Sequence, residues 1–291
     1  MLETSILDQV RSVFQHLEAR YIFHITYNPE HEQAQEFIGF LNNVASCSEK
    51  LSCLLTETDN PGLEFTLLKE GVETGIKFRG IPSGHEFTSL LLAVLNADGK
   101  GKNLPDEAIS RRIKALQGPV RLQTYVSLTC TNCPDVVQAL NIITLLNPQI
   151  THEMVDGALY QEEVDALKIQ GVPSVYANGK LLHVGRGSLG ELLQKLEQTF
   201  GSAPQTDETP IQREFDVLVL GGGPAGASAA IYSARKGLRV AIVAERIGGQ
   251  VKETVDIENL ISVPQTTGTE LANALRTHIA VSYTHLTLPT T

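Results

Sequence analysis

Cys130 and Cys133 stand where an apolar β-type run passes into a helix, and this junction constrains the chain more than any other feature. The stretch Thr124-Tyr-Val-Ser-Leu-Thr-Cys130-Thr-Asn-Cys133-Pro-Asp reads as strand, tight turn and helix start. A thiol at a helix N-terminus feels the positive end of the helix dipole and several unpaired backbone N–H groups, both of which favour thiolate. The two-residue spacer lets both sulfurs share one helical turn, with Cys130 at its exposed edge and Cys133 a turn inside. Taken alone, the spacing also fits half of a structural zinc site. Cys47 and Cys53 have the wrong spacing to complete such a site, and His152 belongs to a different predicted strand. Lacking a helix N-terminus and a following Pro, Cys47 and Cys53 read as inert, small apolar residues.

Downstream lies Gly171-Val-Pro173-Ser-Val-Tyr-Ala-Asn178-Gly179-Lys180, in which Asn-Gly between apolar runs marks a two-residue hairpin. A Pro in such a hairpin belongs at a strand start or an edge. Strand, Cys-x-x-Cys helix, strand (Ile150 to Val155), helix (Glu162 to Ile169), Val-Pro, hairpin and closing helix (Leu189 to Leu196) follow in order. The closing helix carries a Ser188-x-x-Glu191 capping box. This order resembles the thioredoxin and glutaredoxin superfamily. The resemblance implies that Val172-Pro173 is cis and that Pro173 packs beside the dithiol, although a lone Val-Pro bond is ordinarily trans. The segment to about Gln117 repeats the same plan, with strands at Tyr21–Tyr27 and Leu51–Thr56, a hairpin from Leu63 to Phe78, and apolar helices from His85 and Pro105. No Cys-x-x-Cys occupies its helix start near Asn28-Pro29. The reading is α/β, a tandem pair of thioredoxin-like folds with the first one silent.

A second fingerprint begins Glu214-Phe-Asp-Val-Leu-Val-Leu220-Gly221-Gly-Gly223-Pro224-Ala225-Gly226, an apolar strand running into glycines and then an Ala-rich helix. Gly221 makes the tight turn, Gly223 lets the backbone approach a pyrophosphate, and Gly226 lets helix and strand pack closely. The phosphates would rest on the helix start at Pro224 and Ala225. The next strand, Arg239 to Ala244, ends at Glu245, placed to accept hydrogen bonds from ribose hydroxyls. Arg246-Ile-Gly-Gly249-Gln250 and Val255-Asp-Ile-Glu-Asn259 are similar to the flavin-contacting stretches of bacterial-type thioredoxin reductases. The resemblance implies that Gln250 and Asn259 hydrogen-bond the isoalloxazine of FAD; taken bare, they would be surface polar residues.

At 291 residues the chain exceeds one typical domain. The expected division is 1–118 silent fold, 119–200 dithiol fold, 201–213 linker, 214–280 partial Rossmann-like FAD-binding domain and 281–291 a non-native tail. The linker is rich in Ser, Pro, Gln, Thr and acids. A formal charge of −10 and a pI near 5.3 argue against nucleic-acid binding, which requires a basic face. No apolar run approaches the length of a bilayer span, and Met1-Leu-Glu-Thr lacks a basic region with an apolar stretch behind it. A cytoplasmic location follows as the expectation, with no membrane partner, and there dithiols are more often catalytic than structural.

Together the fused modules resemble the flavoprotein components of bacterial alkyl hydroperoxide reductases. The resemblance covers roughly Met1 to Ala280 and is strongest in Gly84–Leu90, Leu128–Leu140 and Ile231–Gly237. It implies a homodimeric parent that passes electrons from NADH to FAD, to a second dithiol, to Cys130/Cys133 and then to a two-cysteine peroxiredoxin that reduces hydrogen peroxide and organic hydroperoxides. Members continue through that second dithiol and a nicotinamide-binding domain, so this chain is expected to hold half a flavin site and no NADH site. It also suggests that Glu86 approaches the dithiol across the fold interface, since the strand Leu122 to Leu128 offers no acid. The alternative for Glu86 is a helix N-terminal acid stabilised by the dipole. For the whole chain, the alternative is a flavin-independent, glutaredoxin-like thiol oxidoreductase.

Overall fold

The computed structural model describes residues 3–101, 103–203, 214–244, 246–282 and the backbone of 285–287. The chain divides into two compact units, Met1–Gln205 and Thr206–Thr291. In the first, α1 (Thr4–Phe14) leads into β1 (Tyr21–Tyr27), α2 (Ala34–Ala45), β2 (Leu51–Glu57), β3 (Leu63–Lys69), β4 (Val72–Arg79), α3 (Phe87–Ala97) and α4 (Glu107–Ala115). The plan then repeats as β5 (Val120–Val126), α5 (Cys133–Leu146), β6 (Ile150–Asp156), α6 (Gln161–Ala166), β7 (Ser174–Ala177), β8 (Lys180–Val184) and α7 (Leu189–Phe200).

All eight strands join one sheet in the order β2-β1-β3-β4-β6-β5-β7-β8. The seam between the two folds is the parallel β4–β6 pair, running from Ile76 opposite His152 to Arg79 opposite Val155. Side chains reinforce it. The Arg79 guanidinium donates to Glu163 at 2.5 and 2.9 Å and lies 4.0 Å over the Tyr160 ring. The Tyr125 hydroxyl donates to the same carboxylate at 2.9 Å, and Tyr160 Oη meets the Leu63 backbone N–H and C=O.

Local chemistry accounts for the elements. Inward residues of β1 alternate from Tyr21 to Tyr27, the period of a strand with one face in the core. Phe23 meets Phe65 edge-on at 5.4 Å, and Phe65 stacks on Phe78 at 5.0 Å. Asn178 and Gly179 take φ of 49° and 77°, which a type I′ hairpin demands. Helix α7 starts on the Ser188/Glu191 capping box. Helix α5 is buried around most of its circumference, packed against α3 of the first fold and α7 of the second. His152 is wholly buried; its Nδ1 donates to Asn141 Oδ1 at 2.7 Å and its Nε2 accepts from Thr124 Oγ1 at 2.8 Å. Burial pushes its pKa down to about 3, so it stays neutral as a core residue.

Boundaries at the dithiol and at the linker differ from the sequence expectation. Strand β5 ends at Val126 and α5 starts at Cys133, so the two sulfurs straddle the helix start instead of sharing its first turn. Proline is tolerated only in a helix's first turn, and Pro134 therefore sets the beginning here. Gly201 to Ala203, expected to open the linker, are bonded back to the first unit. The Gln117 N–H donates to Gly201 O at 3.1 Å, and the Ala203 N–H donates to Ala115 O at 2.8 Å. The rest of the expected linker, 204–213, lies outside the described residues.

The second unit holds β9 (Val217–Leu220), α8 (Pro224–Arg235), β10 (Val240–Val243), α9 (Gly268–Val281) and β11 (His285–Thr287). The strands are parallel in the order β11-β10-β9. Within the expected non-native tail, therefore, Val281 ends a helix and His285–Thr287 pair with β10, while 283–284 and 288–291 lie outside the described residues. Ala227, Ala230 and Ile231 of α8 pack with Val240 and Ile242 of β10. Leu218 and Leu220 of β9 are 58% and 77% exposed, which leaves bare a face that parallel sheets normally cover.

Because the seam is a shared hydrogen-bond ladder, residues 1–203 should unfold as one cooperative body. Urea melts of that piece, followed by near-UV and far-UV signals, should coincide. Two separated transitions, or a folded 1–118 piece on its own, would contradict the single sheet.

Candidate active site

Cys130 and Cys133 are joined as a disulfide with Cα atoms 5.6 Å apart. Cys133 is fully buried, whereas Cys130 is half-buried and closes a turn by donating its N–H to Ser127 O at 2.9 Å. The Val172-Pro173 peptide is cis, as is Gly118-Pro119, which nothing in the sequence singles out. Cys130 Sγ lies 3.9 Å from the Val172 carbonyl oxygen. The Pro173 loop is pinned by Gly185 N–H donating to Pro173 O at 2.9 Å and Ser174 Oγ donating to Gly171 O at 2.6 Å. Both cysteines pack against the apolar cluster of the first fold, so the disulfide sits where the two folds meet.

Glu86 comes from the first fold, on a 3₁₀ turn (Gly84–Glu86) that precedes α3. Gly84 has φ +56°, and a Cβ there would stand 2.6 Å from Leu128 O. The His85 N–H donates to that same carbonyl at 3.1 Å. The turn is thereby clamped to the loop that leads into Cys130, and it packs against α5. Glu86 is fully buried, and neither carboxylate oxygen has a hydrogen-bond partner. Burial pushes its pKa up to about 7; the Ser89 hydroxyl, short of full hydrogen-bond geometry, pulls weakly the other way. Glu86 stands at the N-cap of α3 and makes no side-chain capping hydrogen bond. Cys47 and Cys53 lie away from this site, one buried after α2 and one in β2, and burial raises both thiols.

In the second unit the glycines behave as their types require. Gly221 takes φ +113°, and its N–H donates to Val243 O at 2.8 Å. A Cβ on Gly223 would meet open space, while one on Gly226 would run into the Gly221 carbonyl. Pro224 lacks an N–H, so the free donors at the start of α8 are those of Ala225 and Gly226. Gly249, at φ +55°, closes on this turn, its added Cβ only 3.3 Å from Gly223 Cα. Open space, free N–H groups and a helix N-terminus fit a pyrophosphate. Gly222 and Gly248 join the site without a signal in the glycine fingerprint: the Gly248 N–H donates to Gly222 O at 2.7 Å and holds the two loops together. Gln250 and Asn259 are exposed, and Glu245 lies outside the described residues.

Residues 120–198 match the thioredoxin domain model, and residues 216–279 match the FAD dependent oxidoreductase model. The class is thus a thioredoxin-type dithiol module joined to a unit of the FAD-dependent oxidoreductase type. The chain is 45% identical over 248 residues to the alkyl hydroperoxide reductase flavoprotein AhpF of Pseudomonas aeruginosa, covering 85% of this chain and 47% of that one. It is 44% identical over 279 residues to a Bacillus subtilis protein named NADH dehydrogenase, covering 96% and 53%. The crystal structure of the NTD_N/C domain of alkylhydroperoxide reductase AhpF from Enterococcus faecalis is matched over its full length and 67% of this chain, at 31% identity and a TM-score of 0.62. The chain belongs to the AhpF family of alkyl hydroperoxide reductases, and it spans about half the length of the curated relatives it matches.

The buried carboxyl carries a measurable signature. Its native pKa, about 7, lies above the ordinary 4.5, so the native state holds a proton that the unfolded chain releases. Stability is therefore fullest below pH 4.5 and falls as pH rises through 7, by roughly 3 kcal/mol in all. Glu86→Gln cannot titrate and should lack this fall. Urea melts of the oxidised chain should show the variant gaining on the wild type as pH rises; parallel stability curves would show that the carboxyl is not isolated.

Proposed function

We propose that this chain is the electron-shuttle half of a flavin-dependent disulfide reductase whose Cys130/Cys133 dithiol reduces the disulfide of a two-cysteine peroxiredoxin. The observation that carries the reading is one half-buried and one fully buried sulfur, with Cys130 Sγ beside the Val172 carbonyl and the turn that carries the buried Glu86 packed against the helix of Cys133. Cys130, as thiolate, attacks the partner's disulfide, forming a mixed disulfide and releasing one partner thiolate. Cys133 passes its proton to the Glu86 carboxylate and attacks Cys130 Sγ, closing the Cys130–Cys133 bond and releasing the second thiolate. Two electrons have then left the dithiol for the partner. A carboxyl titrating near 7 suits both acceptance and return of that proton at neutral pH. Pro173 follows the Val172 carbonyl that lies beside Cys130 Sγ and would shield the sulfurs.

FAD, when bound, supplies the two-electron carrier between NADH and thiols in the intact parent. Gly221, Gly223, Pro224, Ala225, Gly226 and Gly249 would hold its pyrophosphate, Glu245 its ribose, and Gln250 and Asn259 its ring. The peroxiredoxin would in turn reduce hydrogen peroxide and alkyl hydroperoxides, in keeping with the names of the relatives. A homodimeric parent, a cytoplasmic site of action and the division at 118, 200, 213 and 280 belong to the same proposal. Among the described residues no helix is long and apolar enough to cross a membrane.

Cys133→Ser should accumulate a mixed disulfide between Cys130 and an oxidised two-cysteine peroxiredoxin, read by intact-protein mass spectrometry and peptide mapping. Trapping by Cys130→Ser in its place would reverse the two sulfurs' roles. A reduced wild-type chain that leaves the peroxiredoxin oxidised would sink the reading.

A further inference from the structure

The loop that leaves β8 is tied to both sides of the dithiol. Its Gly185 N–H donates at 2.9 Å to the carbonyl of Pro173, next in the chain to Val172, whose own carbonyl lies 3.9 Å from Cys130 Sγ. On the other side Arg186 donates from Nε to Asp135 Oδ2 at 3.2 Å, in the first turn of α5. Gly185 takes φ +86°, and glycine at both 185 and 187 leaves the segment conformationally free unless a side chain holds it. His183 of β8 does so. Lys195 of α7 donates from Nζ to His183 Nδ1 at 2.8 Å, while His183 Nε2 stands 2.9 Å from Gly185 O and 3.2 Å from Arg186 O. An ammonium only donates and a carbonyl only accepts, so Nδ1 is the acceptor and Nε2 carries the proton. A Cβ on Gly187 would stand 2.7 Å from Nε2, so the chain passes close against the ring. Lysine, imidazole and the two carbonyls together fix one conformation of this loop.

We propose that His183, oriented by Lys195, is a positioning residue that holds the Gly185–Gly187 loop as a docking rim for a disulfide-bearing polypeptide beside Cys130. The proposal rests on the reading of Cys130 as the sulfur that attacks a protein disulfide. A small disulfide reaches Cys130 by placing one sulfur–sulfur bond in line with Sγ. A polypeptide must in addition pass its flanking chain over the surface around Cys130. The Val172–Pro173 peptide and the loop bonded to it form one side of that surface, and Arg186 is the exposed charge they offer. A loop already held in one conformation has less freedom to lose when a polypeptide settles on it, so the imidazole contributes to docking. Its loss weakens the meeting with a protein disulfide and leaves attack on a small one as it was. A glutamine side chain offers one donating and one accepting group, as this imidazole does, whereas alanine offers neither.

The test mixes the reduced full chain, in single turnover, with rising concentrations of an oxidised two-cysteine peroxiredoxin, of insulin, and of dithiobis(nitrobenzoate). Oxidation of Cys130 and Cys133 is followed by acid quench, alkylation and peptide mapping. His183→Ala should raise the half-saturating concentration of both protein disulfides about fivefold, with the plateau rate and the reaction with dithiobis(nitrobenzoate) as in the wild type. His183→Gln should recover most of that loss, and Lys195→Met should show a smaller loss of the same kind. Hydrogen exchange at the Gly185 amide should quicken in His183→Ala and stay slow in His183→Gln. An unchanged half-saturating concentration in His183→Ala would overturn the proposal, as would an equal slowing with all three disulfides, which places the effect on the sulfur. Should His183→Ala fail to fold, Lys195→Met decides by the same two outcomes. A wild-type chain that reduces insulin and leaves the peroxiredoxin oxidised would sink the reading of the partner, and the insulin comparison would still decide the role of His183.

Discussion

The parallel ladder between β4 and β6 governs the environment of the dithiol. Without it the chain would hold two small folds, the reactive sulfurs in one and the buried Glu86 in the other. Joined edge to edge, they present α3 and α5 to each other, and the Gly84–Glu86 turn reaches the Leu128 carbonyl. The silent fold is then no relic beside the active one; its apolar cluster buries Cys133. A lone buried carboxyl costs free energy, and such a group persists only where surrounding structure over-determines it. The ladder, the Arg79–Glu163 pair and the Tyr160 contacts provide that rigidity from the second fold's side.

Much of this is legible in the sequence wherever the controlling chemistry is local. Asn178-Gly179, the Ser188/Glu191 box, the glycines at 221, 223 and 226, and the repeated strand–helix order all act over a few residues. The pairing of β4 with β6 is different, because each reads as one strand among several and nothing local names its neighbour. The two readings of Glu86 stay open in the sequence for that reason: its burial depends on the seam, and only the assembled sheet removes water from it. His183 carries no signal at all, being an ordinary polar residue of a hairpin strand until the fold brings Lys195 of α7 to it. The start of α5 follows from Pro134, a local signal that outweighs the spacing of the two cysteines and sets the helix boundary at Cys133.

The second unit shows the same division between local and distant causes. The glycine turn, the start of α8 and the Gly248–Gly249 approach are all made within one βαβ neighbourhood. Its sheet is three strands wide among the described residues, with Leu218 and Leu220 of β9 facing outward.

The most direct test of the seam's role is a carbon-13 NMR titration of the Glu86 side-chain carboxyl in the oxidised chain, assigned by its loss in Glu86→Gln. A midpoint near pH 7 is the predicted result, with the resonance broadened or absent from the ordinary glutamate cluster. A midpoint close to 4.5, together with all other glutamates, would mean that water reaches the carboxyl and that the two folds do not enclose the dithiol as one body.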